Sequence, residues 1–225
     1  MAEGLRIGAF FDGTGNNKKN DLAIEDGSQT NVAKLYRLYE GVNYKVAYEE
    51  GVGTEAYKEG GATLSVATIA DIQNGAISIG DLYDSGAMAV GSTAKDHVKS
   101  MLAKIDTIIK LNPDKEIVID VYGFSRGAAE ARDFINEVNQ LYANVDGGSV
   151  VGFVGLFDTV ASIGLAADYD WGLNLNLDEN SAEWIVQITA EDEMRANFPL
   201  DSLAPLPSTA SNVTRVPGTP YLIHR

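Results

Sequence analysis

Gly123-Phe124-Ser125-Arg126-Gly127 sets a serine between two glycines, each two residues away. The run before it, Ile117-Val118-Ile119-Asp120-Val121-Tyr122, has the β-branched character of a buried parallel strand. Behind it, Ala128, Ala131, Ile135 and Val138 recur at helical spacing through Ala128–Leu141. A strand, a Gly-x-Ser-x-Gly turn and a helix make a nucleophile elbow, whose turn strains the serine backbone and presents Oγ at the strand's C-terminal end. The flanking glycines let strand and helix approach without a Cβ clash. The N–H of Arg126, in the first turn of the helix, would face an oxyanion. The chemistry this implies is acyl transfer through Ser125; the bland alternative is a structural turn.

A nucleophilic serine needs an acid, a base and a second oxyanion donor. Asp158 ends the apolar run Val150–Phe157, 33 residues after Ser125, about one strand–helix–strand unit. Neighbouring parallel strands end on one edge of the sheet, so the spacing brings Asp158 to Ser125. An aspartate closing an apolar strand is costly unless paired or used; it reads as the triad acid, or else as a turn cap. The second donor is expected at Gly13 or Thr14, in the loop Asp12-Gly13-Thr14-Gly15-Asn16-Asn17 that follows a strand at Leu5–Phe11. That loop lacks the lysine of a phosphate-binding loop and the glycine spacing of a dinucleotide site, and a plain tight turn is the other reading. Two histidines exist. His97 precedes the serine and reads as a helix-surface residue. His224 follows the acid, in the order such triads use, and is the expected base. As the penultimate residue it is alternatively an incidental terminal side chain.

These groups need elements to hold them. Thr30 is an N-cap for a helix at Asn31–Tyr39. Strands are expected at Asn43–Tyr48, Trp184–Thr189 and Asn212–Val216, and a long amphipathic helix at Ser92–Leu111, ended by Asn112-Pro113. Gly60–Gly91 is rich in small residues, which suits packing under a sheet better than a lid or a membrane-facing segment. Gly164–Asn180 is an acidic loop without metal-ligand spacing. The alternation predicts one three-layer α/β domain over residues 1–225 with a mainly parallel sheet.

Composition narrows the partners. The 225 residues carry a net charge of −15, and no basic run exists to neutralise phosphates, so nucleic acid is not an expected partner. Cysteine is absent, which removes disulfides, thiolate metal sites and thiol redox chemistry. No stretch reaches the ~18 apolar residues of a membrane span, and the N-terminus lacks a secretory signal. Synthesis as a soluble cytoplasmic chain is expected, with any export by a route that reads no such signal. Neither a metal nor a cofactor is called for.

Several separated motifs run colinearly: Phe11-Asp12-Gly13-Thr14-Gly15-Asn16, Thr30-Asn31-Val32 with Leu35-Tyr36, Gly51-Val52-Gly53-Thr54, Gly123–Ala128 with Ala131-Arg132, Gly155-Leu156-Phe157-Asp158-Thr159-Val160, and Asp192-Glu193-Met194-Arg195 with Phe198. Together they resemble the α/β-hydrolase domain of unknown function 2235, which includes phospholipase effectors of type VI secretion systems. The resemblance implies a lipase or phospholipase A-like hydrolase with a Ser–Asp–His triad in which Ser125 and Asp158 match nucleophile and acid. It also implies an immunity or secretion-carrier protein as partner. Members tend to carry the catalytic histidine just after a Pro-Gly pair; here Pro217-Gly218 leads to Pro220 in that place, and Gln187 stands where members commonly have another histidine. The expected protein is therefore a minimal or C-terminally shortened member. The alternative expectation is a catalytically impaired relative that binds a protein or a lipid surface.

Overall fold

A computed structural model describes residues 4–24, 27, 29–42, 44–52, 79–142, 149–161, 172–177, 180–190, 200–201, 203, 213–214 and 221–224. The strands are β1 (Gly4–Phe11), β2 (Lys45–Glu49), β3 (Glu116–Phe124), β4 (Val151–Phe157), β5 (Trp184–Ile188), β6 (Val213–Thr214) and β7 (Tyr221–His224). The helices are α1 (Lys18–Ile24), α2 (Asn31–Gly41), α3 (Ile79–Lys110) and α4 (Arg126–Tyr142). One sheet has the order β2-β1-β3-β4-β5-β7-β6. Its first five strands are parallel, and β7 then turns the sheet antiparallel against both β5 and β6.

Alternation along the strands builds three layers. Ile7, Ala9 and Phe11 of β1, Ile119 and Val121 of β3, and Val154 and Leu156 of β4 face Val98, Met101 and Ile105 of α3 and Phe134, Ile135 and Val138 of α4. Phe10 and Tyr122 point the other way, onto Val32, Leu35, Tyr36 and Tyr39 of α2, with Phe124, Phe153 and Phe157 beside them. Thr30 caps α2, its Oγ1 accepting the Ala33 N–H at 3.0 Å. The three-layer, mainly parallel α/β architecture read from the sequence is the observed one.

The differences are local. The α3 helix starts at Ile79, thirteen residues before the expected Ser92, so this part of the small-residue stretch is helical. The β2 strand lies at Lys45–Glu49, because Tyr44 N–H instead closes the end of α2 by bonding Tyr39 O. Neither α1 nor β7 was expected. Of the Gly60–Gly91 stretch read as packing or lid, residues 60–78 lie outside the described residues, as do residues 53–54 and the motifs at 191–199 and 215–220.

Candidate active site

Strand β3 runs straight into the turn at Ser125, and α4 begins at the next residue. A Cβ on Gly123 would meet Ala128 Cα at 2.6 Å, and one on Gly127 would meet Asp12 O at 2.3 Å and Phe11 O at 2.6 Å. Backbone lies against backbone at both places, so only hydrogen fits there. The first turn of α4 is thereby seated on the C-terminal end of β1. Ser125 sits at φ 55° and Asp158 at φ 45°, the positive-φ non-glycine residues among those described. The left-handed region costs an L-residue about 1–2 kcal/mol, and both instances fall at the same edge of the sheet.

That edge holds them side by side. Phe124 and Phe157 are register partners, so Ser125 and Asp158 occupy the next position on adjacent strands, whose backbones run ~4.8 Å apart. Ser125 N–H donates to Phe157 O at 2.9 Å, and Val160 N–H donates to Ser125 O at 3.2 Å. Asp158 is itself anchored to β5: its N–H bonds Ile188 O at 2.9 Å, and its Oδ1 accepts the Ala190 N–H. Both Ser125 and Asp158 are half-buried.

The loop after β1 comes to the same place. Asp12 is buried, accepts Tyr48 OH at 2.6 Å and accepts the N–H of Gly13 at 2.9 Å. Burial pushes the Asp12 carboxyl up, and the hydrogen bonds from Tyr48, Thr30 and Gly13 oppose the shift. Gly51 presses on this loop so closely that a Cβ would sit 1.6 Å from Gly13 O and 2.9 Å from Thr14 N. Asp12 and Gly51 thus fix the Gly13–Thr14 peptide beside the first turn of α4.

His224 is not brought to this edge. In the antiparallel β5–β7 pair it stands opposite Trp184, where β5 begins, whereas Tyr221 stands opposite Gln187 near the end that carries Ser125 and Asp158. The length of β5, about 13 Å at ~3.3 Å per residue, separates the His224 backbone from the Asp158 edge. The expectation that His224 completes a triad is corrected by this register: an antiparallel return reverses the chain, so the end of β7 lies at the wrong end of its neighbour.

His97 also departs from expectation. It is not a helix-surface residue: its side chain is 15% exposed, and Nδ1 lies 3.4 Å from Oε2 of Glu130, which is 1% exposed on α4. Burial pushes the Glu130 carboxyl up to about 7, with His97 and Arg126 opposing the shift. Burial acts to lower the His97 pKa, but Glu130, Glu49 and Glu50 together outweigh it and hold the imidazole above its ordinary value. Glu130 lay in a helical run whose neighbours are mostly alanines and charges, and only the packing of α3 on α4 reveals it as interior. Gln187, fully buried, donates to Thr159 Oγ1 at 3.2 Å and Asp201 O at 3.0 Å and accepts the Leu203 N–H at 2.9 Å. It ties β5 to the segment just past Asp158.

A cavity of about 400 Å³ opens at this edge, lined by Phe124, Phe157, Asp158 and Ile188, by Asn31 at the start of α2 and by Asn16 in the loop after β1, among others. A second, of about 410 Å³, lies on the α4 side between Arg132, Leu173 and Asp201. The Arg132 guanidinium there is buried and paired with Asp201 at 3.0 Å. Among the described residues no group of three or more His, Cys, Asp or Glu could hold a metal ion, and no helix is long and apolar enough to cross a membrane.

A crystal structure of an uncharacterized protein from Pseudomonas aeruginosa superposes with a TM-score of 0.51 at 23% identity, covering 90% of this chain and 37% of that one. The likeness is one of fold, and the chain spans little more than a third of that relative's length. No curated protein matches the chain in sequence. Residues 6–141, from β1 through the elbow helix, match the catalytic domain of the Tle1-like phospholipase effectors of type VI secretion. That stretch is more than half of the 225 residues, and the chain belongs to this effector family.

Proposed function

We propose that this chain is a serine ester hydrolase acting on acyl esters of phospholipids, with Ser125 as nucleophile in an α/β-hydrolase-like elbow. The observation that carries the reading is the pairing of Ser125 and Asp158, two strained non-glycine residues at adjoining strand ends. Strain of this kind persists only where the surroundings impose it, and it clusters at reacting groups. Ser125 Oγ adds to the ester carbonyl and gives up its proton to a base, which passes it to the departing alcohol as the acyl C–O bond breaks. Water then releases the acyl group from Ser125. The oxyanion is held by the N–H of Arg126, at the start of α4, and by that of Thr14; the Gly13 N–H is already given to Asp12. Asp158 is the acid that orients the base. Membership in a phospholipase effector family supports the substrate class. Delivery by a type VI machine, and an immunity or carrier protein as partner, belong to the same proposal.

A fluorophosphonate probe tests the nucleophile, since labelling requires an activated serine. Wild type is expected to be labelled at Ser125 and to release fatty acid from phospholipid vesicles; Ser125→Ala is expected to lose both. Equal labelling of the two proteins would sink the reading. A second reading is favoured by the register of β7, which keeps His224 from the edge: a chain with the elbow but without its base, acting by binding lipid. Absence of labelling together with retained vesicle binding would select it.

A further inference from the structure

We infer that Tyr48 is a positioning residue for ester hydrolysis: its hydroxyl closes the loop after β1 at both ends and so holds the Thr14 N–H open for the oxyanion. This rests on Ser125 as the nucleophile and adds which side chain keeps its second oxyanion donor in place. One oxygen makes both closures. Tyr48 OH donates to Asp12 Oδ2 at 2.6 Å and accepts the Lys18 N–H at 2.9 Å. Asp12 is the residue after β1 and Lys18 is the first residue of α1, so the two ends of the connection meet at a single atom. Burial and the Asp12 carboxylate push the Tyr48 phenol well above its ordinary range, so it keeps its proton and remains a donor.

The hydrogen bonds inside the loop single out one amide. The N–H groups of Asp12, Gly15 and Asn16 go to Glu49 O, Val52 O and Gly13 O, and that of Gly13 goes to Asp12 Oδ1. Gly13 O takes the Asn16 N–H at 2.8 Å. The C=O and N–H of a trans peptide point in opposite directions, so this bond turns the Thr14 N–H away from Asn16. Among the described residues the Thr14 N–H has no partner, and neither has the buried Thr14 hydroxyl. A backbone donor left open beside paired neighbours is what an oxyanion site needs before substrate arrives. The Tyr48 ring has separate contacts. Lys18 Nζ lies 3.2 Å from the Tyr36 ring centroid and 4.5 Å from that of Tyr48, and the two rings meet edge to face at 5.5 Å. Phenylalanine at position 48 keeps these contacts and loses only the closure. Tyr36 serves as the control, because its hydroxyl goes to Glu40 at the surface.

Hydrolysis of p-nitrophenyl acetate makes the first arm of the test. Tyr48→Phe is expected to lower kcat about 10- to 100-fold with KM kept within about 2-fold, while Tyr36→Phe keeps both. In an Asp12→Ala background, Tyr48→Phe should cost no further kcat, since the hydroxyl acts through that carboxylate. Amide hydrogen exchange makes the second arm and needs no turnover. In Tyr48→Phe the Gly13 and Lys18 amides should exchange about 10-fold faster or more, measured against the β3 amides of the same protein. An unchanged kcat in Tyr48→Phe, the same loss with and without Asp12, or wild-type protection of both amides would each overturn the assignment. Ester turnover that survives Ser125→Ala, or is absent from wild type, speaks against the nucleophile instead; the exchange arm then still decides whether Tyr48 holds the loop.

Discussion

Two chemically expensive pairs flank the start of α4, one at the turn before it and one between it and α3, and they hold their cost in different places. Ser125 and Asp158, at the elbow, are half-buried and carry their cost in the backbone, at φ 55° and 45°. His97 and Glu130, between α3 and α4, lie in regular helix and carry theirs in charge removed from water. Asp158 of the first pair lines a cavity, whereas the second pair is largely closed off from solvent. A reactive site is better served by strain than by burial, because the strained group stays accessible while its direction is fixed. The buried pair instead joins the elbow helix to its neighbour, and its energy depends on protonation.

The largest effect expected from breaking the elbow concerns Gly127. Its missing Cβ leaves room for backbone oxygens of Phe11 and Asp12 at 2.6 and 2.3 Å, and neither atom can move without shifting β1. Gly127→Ala is expected to cost more than about 3 kcal/mol or to prevent folding. Gly41→Ala, at a helix position with nothing within 4 Å of the added carbon, should be neutral or gain about 0.5–1 kcal/mol. Urea melts of the two variants make the measurement. Similar midpoints would show that α4 is not seated on β1 as described.

The buried pair should announce itself through pH. The Glu130 carboxyl is raised to about 7, so its contribution is fully present below the ordinary glutamate range and is lost as pH rises through 7. His97 is raised as well, and its contribution is likewise lost as pH climbs through its folded pKa; the two effects share a sign. Facing them are Arg126 and Glu49 near Glu130, and Glu49 and Glu50 near His97, with Lys104 holding Glu49 at 2.6 Å. Between pH 5 and pH 8.5 wild type is expected to lose on the order of 1–3 kcal/mol of stability, and Glu130→Gln should flatten the slope. An unchanged slope in that variant would place the titrating group elsewhere.

The same contrast separates what the sequence could disclose. Ser125 and Asp158 were legible because each follows a local pattern, and strand pairing in a parallel sheet carries one rule, shared C-terminal ends, to both. The sheet's first five strands obey that rule and were readable as elements for the same reason. His224 was not legible: β7 pairs antiparallel with β5, and nothing in Tyr221-Leu222-Ile223-His224 encodes its direction or its partner. Glu130 was hidden differently, since a charged residue in a helix reads as surface until the neighbouring helix is placed. The local geometry of the turn could be read from the sequence, whereas the direction of the sheet's last strands could not.

The smallest effect probes the strain itself. Ser125→Gly removes the Cβ that makes φ 55° costly, a relief of about 1–2 kcal/mol, partly offset by the freer unfolded chain. A net gain of about 0.5–1 kcal/mol is expected, with ester turnover lost. Ser125→Ala keeps the Cβ and should gain nothing, which separates strain relief from removal of the hydroxyl. Asp158→Gly relieves the same kind of strain but forfeits the bond from the Ala190 N–H, worth about 1 kcal/mol, so its net change should lie near zero. Should Ser125→Gly prove no more stable than Ser125→Ala in urea, the elbow would hold no strain in its backbone. Ser125 and Asp158 would then differ from the buried pair in position alone.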